Sequence, residues 1–197
     1  MKLDYQFKTR VYSESFLDCD EEISLSVKQS HKLINVLRMK ENDNIIIFNN
    51  ISGEWGAKIK IKKSLIYAEC IKKIRDVKKE NGPSLIFSPL KQARSDWLIE
   101  KATECGVENL FPSLMTRTSV RTINIDRYRS NAIGAAEQTG RLSIPNIEPL
   151  RVYEEQIKIC EKSNKTIIFC DELYISTSAF LLLYIKPPKP SDNISSS

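Results

Sequence analysis

Histidine is almost missing from this chain: His31 is the one copy in 197 residues. A single imidazole excludes multi-histidine metal sites. It also excludes most Ser–His and Cys–His nucleophile pairs, unless His31 is itself the base. Glycine is scarce too, with six copies. No G-x-x-x-x-G-K-[ST] loop and no G-x-G-x-x-G occurs, so the common phosphate-cradling loops and any glycine-rich cofactor loop are excluded. The five cysteines, at 19, 70, 105, 160 and 170, contain no C-x-x-C pair. That predicts reduced thiols in a cytoplasmic protein, with neither a zinc site nor a disulfide framework. The start lacks a charged–apolar–small signal peptide. The run Ala179–Ile185 is too short to span a bilayer, so no membrane partner is expected.

What is present is an ordinary globular composition with a net charge of +5. That balance is compatible with a polyanionic partner without requiring one. Residues 1–80 read as β-rich: short apolar runs recur at Ile23–Val27, Asn44–Phe48, Ala57–Ile61, Leu65–Cys70 and Cys70–Ile74. Asn49-Asn50-Ile51-Ser52-Gly53 supplies hairpin-turn chemistry. One helix is predicted over Gln29–Met39, with Ser30 as its cap and Leu33, Val36 and Leu37 on one face. Several short strands and one helix predict a small β-barrel. Lysines crowd 58–79, either as the solvated face of that barrel or as a phosphate-binding surface.

Lys78-Lys79-Glu80-Asn81-Gly82-Pro83 is polar and ends in turn residues, which places a domain boundary there. The rhythm then becomes strand–helix–strand. Strands are predicted at Ser84–Leu90, Asn109–Pro112 and Thr166–Cys170. Helices are predicted at Ser95–Cys105, Asp126–Gly140 and Val152–Lys162, and the alternation predicts a mostly parallel sheet. In the first helix Ser95 or Asp96 can cap the start, Leu98, Ala102 and Cys105 form the inward stripe, and Gly106 suits a left-handed stop. The proline- and serine-rich stretch 186–197 reads as a disordered tail. Lys91, Arg94 and Lys101 place cations near the exit of the preceding strand, the end where open α/β sheets bind ligands.

Two further constellations stand out. His31 and Arg38 are two helical turns apart, and Lys40 follows; the face is either a solvated outer surface or a contact for RNA phosphate or base. Glu137 and Arg141 are four apart at a helix end and can simply pair. With Gln138, Arg117 and Arg121 they also gather arginine forks and amides suited to phosphate.

In order, His31-Lys-Leu-Ile-Asn-Val-Leu-Arg38-Met39, Phe48-Asn49 with Ser52-Gly53, Lys91 through Pro112, Arg117-Thr118, and Ala135-Ala-Glu137-Gln138-Thr-Gly140-Arg141 through Pro149 resemble the ribosomal RNA small subunit methyltransferase E family. The resemblance runs from about Arg10 to Asp171. It implies an α+β two-domain protein, with a PUA-like RNA-binding β-barrel over 1–80 and an α/β SPOUT domain of trefoil-knot type over 81–185. It implies S-adenosyl-L-methionine-dependent methylation of N3 of a uridine in 16S ribosomal RNA, on the small ribosomal subunit, by a homodimer. Matched to the family motifs, Arg10, His31 and Arg38 would face RNA from the barrel. Lys91, Arg94, Glu104, Arg117, Glu137, Gln138 and Arg141 would line the catalytic cleft, with Arg141 steadying the uracil anion and Glu137 orienting it or taking its proton.

The family pattern continues into G-P-E-G-G and L-G-x-R-I-L-R-x-E-T-A, which form the knot and the cofactor pocket. Here the chain reads Leu181-Leu-Leu-Tyr-Ile185 and then Lys-Pro-Pro-Lys-Pro190, with lysine and proline where φ-permissive glycines are wanted. The expectation is a truncated α/β domain with no cofactor-binding residue to name. The alternative to an active methyltransferase is then an inactive remnant that keeps RNA binding through its barrel and basic face.

Overall fold

The computed structural model describes residues 7–63, 65–77, 81–162, 166–169 and 184–185. The expected disordered tail, 186–197, and the Ala179–Ile185 run apart from 184–185 lie outside them.

The first half is a five-stranded sheet. Its strands are β1 (Arg10–Tyr12), β2 (Glu22–Ser24), β3 (Asn44–Asn49), β4 (Gly53–Lys62) and β5 (Leu65–Arg75), in the order β1-β3-β4-β5-β2. Only the β1–β3 pair is parallel. The two runs expected on either side of Cys70 are one strand, β5, with a bulged register against β4. The β3–β4 turn forms as predicted. Asn49 accepts from the Ile51 and Ser52 N–H groups at 3.0 and 2.6 Å, and Gly53 takes φ +88°. Inward residues alternate along the strands, and Leu17, Leu33, Ile45, Ile47, Ile59 and Ile66 form the core.

The helix in this half differs from expectation. It starts at α1 (Val27–His31) under a capping box of Ser26 and Gln29, then widens into a π-helical turn over Lys32–Val36. Ser30 is buried and accepts the Ile66 N–H at 3.0 Å, so the residue read as a cap serves the sheet instead. Leu33 is the one large apolar residue of the turn that is fully buried; Val36 and Leu37 are exposed. The extra residue per π turn moves them off the inward face. Arg38 ends the segment in the left-handed region at φ +51°, and Met39 N–H closes back to the Leu33 carbonyl at 2.9 Å.

The second half alternates as predicted: β6 (Ser84–Phe87), α2 (Gln92–Glu104), β7 (Asn109–Leu114), α3 (Ile125–Thr139), β8 (Asn146–Ile147), β9 (Arg151–Val152) and α4 (Tyr153–Lys162). β6, β8 and β9 all pair with β7, all parallel. β10 (Ile168–Phe169) pairs instead with β11 (Tyr184–Ile185), antiparallel. The inward side of α2 is Ser95, Ile99, Ala102 and Thr103, while Cys105 and Trp97 are exposed. Of the expected stripe, Leu98 and Ala102 do pack in the core and only Cys105 is exposed; the helix starts about a turn earlier than expected, with Lys91 at its N-cap and no side-chain cap bond. Asn124 caps α3, two residues before the expected start, by accepting the Arg127 N–H at 2.9 Å. Gly106 does take the left-handed stop, φ +82°, with Val107 N–H returning to Ala102 O at 2.9 Å.

A third cluster joins the halves. Tyr12 and Phe48 from the sheet pack edge to face at 5.8 Å and meet Ala136 and Leu142 from the end of α3. Three guanidinium hydrogen bonds surround this contact: Arg10 donates to the Ala136, Glu137 and Arg141 carbonyls at 2.7, 3.2 and 3.1 Å. These carbonyls are the unpaired acceptors a helix C-terminus leaves.

Candidate nucleic-acid interface

In a parallel β–α–β unit each helix carries the chain back, so the loops after β6 and β7 share one end of the sheet. Here they enclose an open pocket of about 310 Å³ lined by Ser88, Leu90, Lys91, Arg94, Arg117 and Thr118, with Pro89 and Ser119 at its edge. The two loops are tied together. Ser88 Oγ and Thr118 Oγ1 are 2.7 Å apart, and Thr118 Oγ1 also accepts the Met115 N–H at 2.8 Å. Ser95 Oγ clamps the start of α2 by donating to Leu90 O at 2.9 Å and accepting Leu90 N–H at 3.1 Å.

Electrostatically the pocket is one-sided. Lys91, Arg94 and Arg117 are exposed, and none of them forms an ion pair among the described residues. No lining residue is acidic. The uncapped α2 N-terminus adds first-turn N–H groups and the positive end of a helix dipole. Elsewhere most cations are matched. Lys60 contacts Glu69 at 2.8 Å and Lys62 contacts Glu22 at 2.5 Å. The Glu69 contact raises the Lys60 pKa above its ordinary value. In the lysine-dense stretch Lys60, Lys62, Lys73 and Arg75 are thus ion-paired, while Lys58, Lys63 and Lys72 form no ion pair among the described residues.

Three of the expected site residues thus converge: Lys91, Arg94 and Arg117. The hydroxyls of Ser88, Thr118 and Ser119 join them, which sequence reasoning missed. Their signal was a hydroxyl residue directly after a strand end at Ser88, and a Thr-Ser pair directly after Arg117.

Glu137, Gln138 and Arg141 are not in this pocket. Glu137 and Gln138 lie in the last turn of α3 and Arg141 just after it, and α3 returns to the opposite end of the sheet, where β8 begins. Glu137 accepts Lys32 Nζ at 2.9 Å and the Tyr12 N–H at 3.3 Å. With Arg10 and Lys32 it lines a cleft of about 10 Å³, room for no more than a water. The Glu137–Arg141 pairing also fails to form as a helical i,i+4 contact, because Gly140 turns left-handed at φ +75° between them. The Arg141 guanidinium lies against Gly106, 2.8 Å from where a Cβ would stand. Glu104 pairs with Lys101 at 2.8 Å on α2's last turn, away from the pocket.

Arg10 is likewise engaged: its Nε donates to Glu54 at 2.7 Å and its guanidinium stacks over Phe48 at 4.0 Å. It faces α3, not solvent, and is 14% exposed. His31 and Arg38 are both exposed, but the π turn and the left-handed Arg38 break the common helical face that their spacing suggested.

No group of three or more His, Cys, Asp or Glu side chains suited to a metal occurs among the described residues. No described helix is long and apolar enough to cross a membrane.

Comparison with known proteins follows this division. Residues 79–186 match the model of an RNA methyltransferase domain, and residues 27–69 that of an RNA methyltransferase PUA domain. The chain is 33% identical over 174 residues to ribosomal RNA small subunit methyltransferase E of Buchnera aphidicola, covering 81% of this chain and 66% of that one. It is 28% identical over 165 residues to the Rickettsia conorii protein of the same name, covering 83% and 66%. It therefore spans about two thirds of the length of these relatives. In structure it is similar to a ribosomal RNA small subunit methyltransferase E from Neisseria gonorrhoeae bound to S-adenosyl methionine, with TM-score 0.65, 26% identity, and 76% of this chain and 64% of that one covered. A putative methyltransferase from Legionella pneumophila in complex with the same cofactor shares the fold at TM-score 0.66 and 23% identity, over 82% and 69% of the two chains.

Proposed function

Because the chain belongs to the RNA methyltransferase family, we propose that it acts on 16S ribosomal RNA, methylating N3 of a uridine with S-adenosyl-L-methionine as methyl donor. The observation that carries the RNA half of this reading is the pocket of three unpaired cations at the C-terminal end of the parallel sheet. Arginine forks and an uncapped helix start are matched to phosphate oxygens. In this reading Lys91, Arg94 and Arg117 hold the RNA backbone, and the exposed His31 and Arg38 on the PUA-like domain extend the contact. Assembly as a homodimer and a cytoplasmic setting, both implied by the family resemblance, go with it.

When bound, S-adenosylmethionine supplies an electrophilic methyl group. The described pocket does not fit it: three cations and no carboxylate suit an anion and repel a sulfonium. What the residues present do is neutralise phosphate and lower the energy of negative charge near the sheet end. N3 of uridine must lose a proton to become nucleophilic, so a cationic setting favours its anion.

A second reading, RNA binding without methyl transfer, is favoured by one observation. The pocket holds no carboxylate or imidazole to accept the N3 proton.

One pair of measurements tests both. The first is binding of 16S ribosomal RNA fragments as a function of salt, for the wild type and the triple variant Lys91→Ala, Arg94→Ala, Arg117→Ala. Each lost phosphate contact lowers the salt slope by roughly 0.7 for single-stranded RNA, so the triple variant should lose about 2. An unchanged slope and affinity would remove the pocket from the RNA site. The second is transfer of labelled methyl from S-adenosylmethionine to small-subunit RNA: incorporation at uridine N3 supports the enzyme, and RNA binding without incorporation supports the second reading.

A further inference from the structure

We propose that Trp97 is a stacking platform for an unpaired RNA base whose phosphate lies among Lys91, Arg94 and Arg117. The inference rests on the pocket's reading as a phosphate site and adds to it the recognition of single-stranded RNA. Trp97 is 63% exposed on the middle of a thirteen-residue helix, although a large aromatic ring normally buries most of its area. Neither a ring nor a cation covers it among the described residues. Of the two tryptophans in the chain, Trp55 is buried at 6% exposure and carries Lys73 over its ring at 5.2 Å.

The helix register explains the juxtaposition. Arg94, Trp97 and Lys101 stand at i, i+3 and i+7 and so share one face. The opposite side, Ser95, Ile99, Ala102 and Thr103, is buried, and Asp96 is turned toward α3 by Arg127 at 2.8 Å and Asn131 at 2.7 Å. Three residues of helix rise are about 4.5 Å, comparable to the offset between a nucleotide's phosphate and its base. A phosphate held by Arg94 therefore leaves a base within reach of the Trp97 ring. Leu90, 39% exposed, adds an apolar side chain to the lining of the pocket. Aromatic faces beside unpaired cations are how proteins hold unstacked bases. A second copy of this chain is a poorer occupant. A two-fold contact centred on Trp97 would bring the Lys91 and Arg94 charges of two copies together, with only Lys101 neutralised, by Glu104 at 2.8 Å.

The test uses the full chain with three probes: single-stranded oligouridine, an RNA duplex of equal length, and inorganic polyphosphate. Oligouridine should quench the exposed tryptophan and shield it from acrylamide, with buried Trp55 as the internal reference. Duplex RNA, with its bases paired, should not. Trp97→Ala should weaken oligouridine binding on the order of tenfold, leave the salt slope and polyphosphate binding unchanged, and be largely restored by Trp97→Phe. If Trp97→Ala binds oligouridine as tightly as wild type, the platform is wrong while the phosphate pocket stands. If neither oligouridine nor polyphosphate binds the wild type, the pocket reading itself fails, and this inference with it. Loss of a concentration-dependent dimer in Trp97→Ala, with oligouridine binding intact, would assign the ring to self-association and overturn the proposal.

Discussion

The Arg10 guanidinium and the Glu54 carboxylate meet at 2.7 Å, and both side chains are largely hidden, at 14% and 9% exposure. Arg75 takes the other Glu54 oxygen at 3.0 Å and donates to Gly140 O at 2.6 Å. One carboxylate of the first sheet thus holds two arginines, and both reach the last carbonyls of α3. The arrangement places cations at a helix C-terminus, where the dipole favours them.

Removing Arg10 should therefore cost more than an ordinary surface ion pair. Arg10→Ala leaves Glu54 half-paired in a buried position and unties two α3 carbonyls and that of Arg141 just beyond the helix. Breaking one side of such a pair is worth about 3 kcal/mol. Denaturant unfolding should show that loss, with Arg10→Lys recovering only part because an ammonium cannot fork to several carbonyls. A loss no larger than that of an exposed pair would show that the two halves do not rely on this contact.

Much of this architecture was legible in the sequence, and the exceptions have physical causes. The α/β half followed from strand–helix alternation, and Gly106 and Gly53 marked real stops. What misled was periodicity used to orient side chains. A π turn at Lys32–Val36 rotated one helical face, and the buried side of α2 is centred on Ile99, beside the expected Leu98–Ala102–Cys105 stripe; neither has a composition signal. The site divided for a topological reason. Glu137 and Arg141 stand at the end of a helix that returns to the far end of the sheet, so their nearness in motif to Arg117 carried no nearness in space. Arg10, placed on RNA by its motif, turns inward because its partners, the Glu54 carboxylate and three backbone carbonyls, lie 44 or more residues away in sequence.

Asp96 supplies a pH-dependent prediction. The Arg127 guanidinium, bonded to its carboxylate, lowers its pKa below the ordinary value, against opposing desolvation, and Asn131 assists. A depressed folded-state pKa means that this stability is fully present above the unfolded aspartate value, about 3.9. It is lost as pH falls through the lower folded value. Asp96→Asn should therefore be less stable than wild type at pH 7, and the gap should shrink steadily below about pH 4. Thermal unfolding of both proteins across that range checks it; a gap that stays constant down to pH 2 would make the contact one of packing, not charge.

The cysteines should separate by accessibility. Cys19 and Cys105 are exposed, whereas Cys70 is fully buried and burial pushes its thiol up to about 11. A thiol reagent at pH 8 should modify Cys105 and Cys19 in the native protein and reach Cys70 only on unfolding, because the thiolate is the reactive form. Cys19 also has a raised pKa, from desolvation and then the Asp20 and Asp18 charges, so its labelling should keep accelerating above the usual thiol range. Peptide mapping after brief labelling reads the order directly, and early modification of Cys70 would contradict the packed β4–β5 face.

Gly106 and Arg141 give the last prediction. Gly106 needs a left-handed backbone at φ +82°, and a Cβ there would meet Arg141 at 2.8 Å. Gly106→Ala should lose about 1–2 kcal/mol from the backbone alone, since an L-residue pays that much in this region. The Arg141 contact adds to it only if the guanidinium cannot move aside. A double-mutant cycle separates the two effects. If the guanidinium is fixed, Gly106→Ala should cost less in an Arg141→Ala background than in the wild type, because the steric part has gone. If the two losses add, the side chain yields freely, and the backbone conformation is the whole of the cost. Either result also bears on Arg141 itself. A guanidinium held firmly against the α2 stop is fixed at the end of the sheet away from the pocket, and Arg141→Ala should then lower stability while leaving the salt slope of RNA binding unchanged.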